Sequence, residues 1–258
     1  MELPIFSDNL RSSASWSATL EHARERWQQA RVLAEGQARL EARLRTQQLS
    51  QALRRAGHEV TKEQIARLVV APPESIAAMS TDEQIAVRLL RAARLVSAWA
   101  KASGAEMTVA RLSELYGVLS GSDTKGYLFR TSEAKPLSPA HNPVPAAILP
   151  RLVENALDWF IAPSFFEIHA VEQASLVYLR MLDLQPFPSE SEQIALLAAS
   201  FYTERAGLPP LIIYADEITT ARYSAVIDAA FRMLTQPLVE FFAESLTRTI
   251  EAGLAIED

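Results

Sequence analysis

The chain has 258 residues, 49% of them hydrophobic and 22% charged, which is enough apolar material for a buried core and excludes a disordered chain. Its net charge of −6 disfavours a role in coating nucleic acid. The absence of cysteine excludes disulfides, thiolate nucleophiles, zinc ribbons and iron–sulfur clusters, and the four scattered histidines, His22, His58, His141 and His169, give no close metal-ligand spacing.

Residues 1–8 show no basic stretch followed by an apolar one, so no signal peptide is expected. No apolar run reaches the roughly 18–20 residues that span a bilayer, and the expected compartment is the cytoplasm. Glycine is scarce, and Ala, Leu, Glu, Arg and Gln dominate, so an all-α fold is predicted.

Residues 16–55 read as one or two long helices, with Leu33, Leu40 and Leu44 at helical spacing and Glu41–Arg45 as an i,i+4 pair. Thr61-x-x-Gln64 and Ser80-x-x-Glu83 are capping boxes. The first opens a short helix that ends before Pro72-Pro73. The second opens an amphipathic helix that runs to Gly104. Thr108 starts a further helix, which Gly121 ends.

Residues 120–145 form the long irregular segment, with extended pieces at 127–130 and 133–137 that predict a short β-hairpin. Helices follow at 145–159, 167–184, 189–205, 217–233 and 237–252, with Leu211–Tyr214 as a buried link. The division expected is an N-terminal helical extension, 1–105, and a core domain, 106–258.

From about Thr108 to Gly253 the chain resembles the Fic (AMP-transferase) family. The resemblance rests on Leu112–Leu119, on Gly126-Tyr127-Leu128-Phe129-Arg130, and on Pro143-Val144-Pro145 followed by Ile148, Leu152 and Trp159. It continues through His169-Ala170, Ala174, Tyr178 and the run Arg205–Ile212. The family signature HPFx[DE]GNGRxxR falls on Gln185-Pro186-Phe187-Pro188-Ser189-Glu190-Ser191-Glu192-Gln193-Ile194-Ala195-Leu196.

The Pro-Phe is kept. The catalytic histidine falls on Gln185, the acidic metal-binding position on Ser189, the Gly-Asn-Gly on Glu190, Ser191 and Glu192, and the two arginines on Gln193 and Leu196. Glutamine has no titratable proton and cannot serve as general base. Two carboxylates at a helix N-terminus repel a triphosphate. Ser189-x-x-Glu192 reads instead as a capping box through which the helix satisfies its own N-terminus.

The resemblance therefore implies a Fic-like helical core with no catalytic residue expected, no metal, and no cofactor. ATP and Mg would apply only if the family activity were retained. Relatives often carry an inhibitory helix, [ST]xxxE[GN]; the windows at Ser50–Arg55 and Gly57–Val60 do not fit it.

The function expected is a pseudo-AMP-transferase that binds an unidentified protein partner. The resemblance implies a flap at Gly126–Ser138 that holds a target by strand addition, with Gly126, Arg130, Thr131, Ser132, Glu133 and Lys135 as target-binding residues. It also suggests homo-oligomers, or hetero-oligomers with Fic relatives.

One alternative is a Fic-fold enzyme with changed nucleotidyl or phosphoryl transfer, using Glu190 or Ser191. A second is a DNA-associated regulator acting through Arg43, Arg45, Arg54, Arg55, Lys62 and Arg67. His169 is expected as a hydrogen-bonded residue on a core-facing helix, His141 at the surface, and Trp16, Trp27, Trp99 and Trp159 in the core.

Overall fold

The computed structural model describes residues 5–31, 34–122 and 129–255, with side chains described from residues 16 and 37 onward in the first two stretches. The helices are α1 (Ile5–Ala30), α2 (Ala34–Arg55), α3 (Lys62–Val70), α4 (Thr81–Lys101), α5 (Val109–Ser120) and α6 (Leu149–Phe160). They continue with α7 (Pro163–Phe166), α8 (Ala170–Leu184), α9 (Ser191–Arg205), α10 (Glu217–Phe231) and α11 (Gln236–Leu254). A 3₁₀ turn, Ala146–Ile148, precedes α6.

The local signals act as expected. Both capping boxes form, at Thr61/Gln64 and at Ser80/Glu83. The Thr108 side chain accepts from the Arg111 N–H, and Gly121 ends α5 in the left-handed region at φ 68°.

Helices α8 and α9 form the central pair. Helix α9 buries Ile194, Ala195, Leu197, Ala198, Phe201 and Tyr202 around its circumference, as a helix surrounded by others must. Helix α4 lies along α9, α1 along α11, and α10 and α11 close the far side over α8. One hydrophobic core runs from Leu20 and Trp27 of α1 through Leu90 of α4 to Phe242 of α11. Position 105/106 falls in the connection between α4 and α5, and helices on both sides of it contribute to this one core.

The 211–214 link is stitched in by polar groups. Ser200 Oγ accepts from the Leu211 N–H at 3.1 Å, and Tyr214 pairs with Thr249 at 3.1 Å and with Gln47 at 3.0 Å.

Several expectations are corrected. Glu41 does not pair with Arg45; it meets Lys101 at 3.3 Å, while Arg45 crosses to Glu204 on α9 at 3.2 Å. The gain in burial next to Ser97 draws Arg45 away from its own helix.

No strand occurs among the described residues, so the β-hairpin is not seen. Tyr127 and Leu128 lie outside the described residues. The remaining backbone groups are taken elsewhere: the Arg130 N–H donates to Pro186 O at 3.0 Å, and the Leu137 N–H donates to His141 Nδ1 at 3.0 Å.

His141 is buried rather than superficial. Its ring stacks on Phe231 with centroids 4.2 Å apart, and Asp183 Oδ1 stands 3.6 Å from Nε2. His169 is the N-cap of α8 and not a core-facing helical residue. Its Nδ1 accepts from the Val171 N–H at 3.2 Å, and Nε2 faces Glu21 at 3.2 Å. Trp159 is exposed, unlike the buried Trp27, because α6 turns its other face, with Phe160, to the core.

Candidate functional site

The loop joining α8 to α9 carries the residues singled out by sequence. Gln185 ends α8 in a left-handed conformation, φ 41° and ψ 63°, and is buried. Its side-chain amide donates to Lys135 O at 3.1 Å, and its own N–H donates to Met181 O. Phe187 is buried and stacks on Tyr116 with centroids 4.6 Å apart. Pro186 and Phe187 are therefore packing residues that hold the loop to α5.

Arg130 is the anchor of this arrangement. It is 4% exposed. Its Nε donates to Gln185 O at 2.8 Å, one terminal nitrogen donates to Ser132 O at 2.9 Å, and the other donates to Val144 O at 2.6 Å and to Leu184 O at 3.2 Å. The guanidinium thus satisfies the open carbonyls at the end of α8, where a cation is also favoured by the helix dipole. This revises its expected place among target-binding residues, since a side chain so enclosed cannot reach a partner. Thr131, Ser132, Glu133 and Lys135 are exposed, and Gly126 lies outside the described residues.

The N-terminus of α9 also differs from expectation. The helix begins at Ser191, Glu190 is its N-cap at φ 63° and ψ 20°, and no side chain caps it. The predicted Ser189/Glu192 box does not form. Glu192 instead forms an ion pair with Arg55 of α2, whose guanidinium lies 4.5 Å over the Tyr223 ring. Tyr223 hydrogen-bonds Tyr178, and burial pushes both hydroxyls well above the ordinary range. Of the two carboxylates expected at the helix N-terminus, one is neutralised from α2. Glu190 remains.

Ahead of α9 lies a cleft of about 440 Å³. Its polar lining includes His58, Arg88, Ser120, Ser189, Glu190 and Gln193, over apolar walls from Leu53, Ile85, Leu89 and Leu119. Burial raises the Glu190 carboxyl above its usual value, while His58 and Arg88 pull it back down. His58 Nδ1 sits 3.0 Å from Asp82, which is itself held low by the Glu59 N–H and by His58. Arg88 lies against Gly121, where a Cβ would stand 2.5 Å from its Cζ. Leu196 faces a water-sized gap between α2 and α9 rather than the cleft.

His58 and Arg88 escaped the sequence reading as site residues, and Arg55 entered it only among the basic residues of the DNA-binding alternative. The i,i+4 spacing of Gln84 and Arg88, bonded at 3.3 Å, is visible in the sequence, yet it says nothing of what the arginine faces.

No family model matches the chain. A stretch of 98 residues, 38% of the chain, is 29% identical to a protein adenylyltransferase Fic from Nematostella vectensis, and it spans 22% of that protein's length. Among solved structures, a Fic domain containing signaling protein from Bacteroides thetaiotaomicron superposes with a TM-score of 0.78 at 17% identity, over 92% of this chain and 98% of that one. Fic-1 from C. elegans superposes with a TM-score of 0.77 at 17% identity, over 94% of this chain and 73% of that one. The chain has the Fic fold.

ATP and magnesium would apply only if the family activity were retained, and the residues of the α8–α9 loop differ from the donor set they would need. Magnesium would need a carboxylate where Ser189 stands exposed and neutral, and no group of three His, Asp or Glu able to hold a metal occurs among the described residues. ATP would need donors at the start of α9, where Glu190 stands and where the nearby Arg55 is already committed to Glu192, so Arg88 alone would have to face a triphosphate beside that carboxylate. The basic residues expected to bind DNA are divided in the same way. Arg45 and Arg55 turn inward to Glu204 and Glu192, leaving Arg43, Arg54, Lys62 and Arg67 exposed. Among the described residues, no helix is long and apolar enough to cross a membrane.

Proposed function

We propose that this chain is a catalytically inactive Fic-fold protein that recognises another protein. One observation carries the reading. The residue at the expected base position is Gln185, an amide bonded to Lys135 O, and it is buried among backbone partners with no titratable group to act as a base. The chemistry ahead of α9 supports it, since a half-buried carboxylate at Glu190 opposes the approach of a triphosphate.

Protein recognition is supported by the segment 131–137. Its side chains are largely exposed, and among the described residues the N–H groups of residues 131–135 donate no hydrogen bond. Open backbone donors on an exposed segment are what strand addition uses. In this reading Thr131, Ser132, Glu133 and Lys135 flank the added strand, while Arg130 fixes the base of the segment. The partner is a protein, and assembly with a Fic relative is one form it takes.

Incubation with labelled ATP, other nucleotides and CDP-type donors tests the first half. The reading predicts no transfer above background. Label on any protein would establish instead an enzyme of changed chemistry, with Glu190 or Ser191 as its working group. For the second half, Ala134→Pro removes one open donor and should abolish capture of a partner without changing the melting temperature. Undiminished capture would refute strand addition.

A further inference from the structure

The cleft ahead of α9 holds two opposite charges, Glu190 and Arg88, that feel each other's field without forming an ion pair. Glu190 is half-buried, and its carboxylate makes no hydrogen bond or ion pair among the described residues. Its backbone sits at φ 63°, in a well that few residues other than glycine occupy, and this fixes where the side chain leaves the chain. On the α4 wall, Arg88 has no acidic partner within ion-pairing distance among the described residues. It makes only long bonds, to Ser120 O at 3.4 Å and to Gln84 Oε1 at 3.3 Å. Its Nε is buried and unpartnered. Contact with Gly121 holds the guanidinium in place. His58, the third charged or titratable group of the lining, is engaged with Asp82.

Unpaired polar groups in a partly dehydrated cleft carry a penalty that a matching ligand removes. A simple anion on Arg88 would stand near Glu190, and a simple cation on Glu190 would stand near Arg88. A molecule bearing both charges a few bonds apart satisfies each wall. The floor of Leu53, Leu89 and Leu119 adds an apolar requirement, and a volume of about 440 Å³ admits a small molecule only. We infer that the cleft binds a free α-amino acid with an apolar side chain, its ammonium on Glu190, its carboxylate on Arg88 and its side chain over the leucines. This inference rests on the proposal above that the cleft has ceased to serve triphosphate.

Titration calorimetry on the full chain tests it, with L-leucine, L-methionine and L-phenylalanine as ligands. The half-ligands 4-methylpentanoate, which lacks the ammonium, and isopentylamine, which lacks the carboxylate, are the controls, and Mg·ATP is a separate arm. At least one amino acid should give saturable heat, with both half-ligands about ten-fold weaker or more. Glu190→Gln should weaken the amino acid about ten-fold while leaving 4-methylpentanoate unchanged or tighter; Arg88→Gln should do the reverse for isopentylamine. Should Arg88→Gln fail to fold, Glu190→Gln alone decides. No heat from any of the three amino acids, half-ligands equal to the whole, or a Glu190→Gln variant that binds undiminished would each overturn the inference. Uptake of Mg·ATP would overturn the silent-site reading itself, whereas silence from amino acids and ATP alike removes only the amino-acid assignment.

Discussion

Replacing Arg130 by alanine should unseat the whole loop region without touching the core. The side chain is 4% exposed and serves four carbonyls: Ser132, Val144, Leu184 and Gln185. A hydrogen bond from a charged donor is worth about 1.5–3 kcal/mol, and a buried acceptor left without a partner loses about 1–3 kcal/mol. Ser132 is exposed and recovers water, so only the carbonyls of Val144, Leu184 and Gln185 count fully. Because the four share one donor group their losses do not add, and the expected destabilisation is about 3–5 kcal/mol, at the upper end for single substitutions. Arg130→Lys should lose about half as much, since an ammonium lacks the planar fork that reaches several carbonyls at once. With a urea slope of about 3 kcal/mol per molar, the alanine variant should unfold roughly 1–1.7 M earlier. Limited proteolysis should also cut it first within 131–137. A midpoint shift of less than about 0.3 M would refute the anchoring role.

Glu190→Gly should stabilise the protein by about 1 kcal/mol, because the left-handed backbone strains a residue with a Cβ, and a lower unfolding midpoint would contradict that strain. Burial raises the folded-state carboxyl of Glu190, so its charged form opposes folding at neutral pH and the opposition vanishes once both states are protonated. Glu190→Gln should accordingly be the more stable protein at pH 7, with the difference closing as pH falls through the raised value toward the ordinary carboxylate range. A gap that widens in acid would reverse the argument. Gly121→Ala should destabilise by about 1–2 kcal/mol, from its φ of 68° and from a Cβ placed 2.5 Å from Arg88 Cζ, and a neutral result in thermal unfolding would contradict it.

Local chemistry was legible in the sequence, and long-range chemistry was not. Thr61 with Gln64, Ser80 with Glu83, and Gly121 announce themselves because donor, acceptor and backbone conformation lie within a few residues. The same pattern at Ser189 and Glu192 misled, since Glu192 had a better partner in Arg55, 137 residues away in the chain. Arg130 reads in the sequence as a surface recognition residue because nothing near it tells that carbonyls 54 and 55 positions away converge on it. His141 went the same way: the ring that buries it, Phe231, belongs to α10.

The fold itself was within reach because helix formers, caps and the order of short family-like segments agree with one another. The cleft was half legible. Gln185 and Glu190 could be named from the signature alone, but the opposing wall of Arg88 and His58 comes from elements that only packing brings together.

The claim that the site is silent toward its family's donor is tested most directly by calorimetric titration of the unmodified protein with Mg·ATP, followed by a label-transfer assay on the same sample. The account predicts no saturable heat and no AMP on any protein. Saturable uptake in the micromolar range, or transferred label, would contradict it.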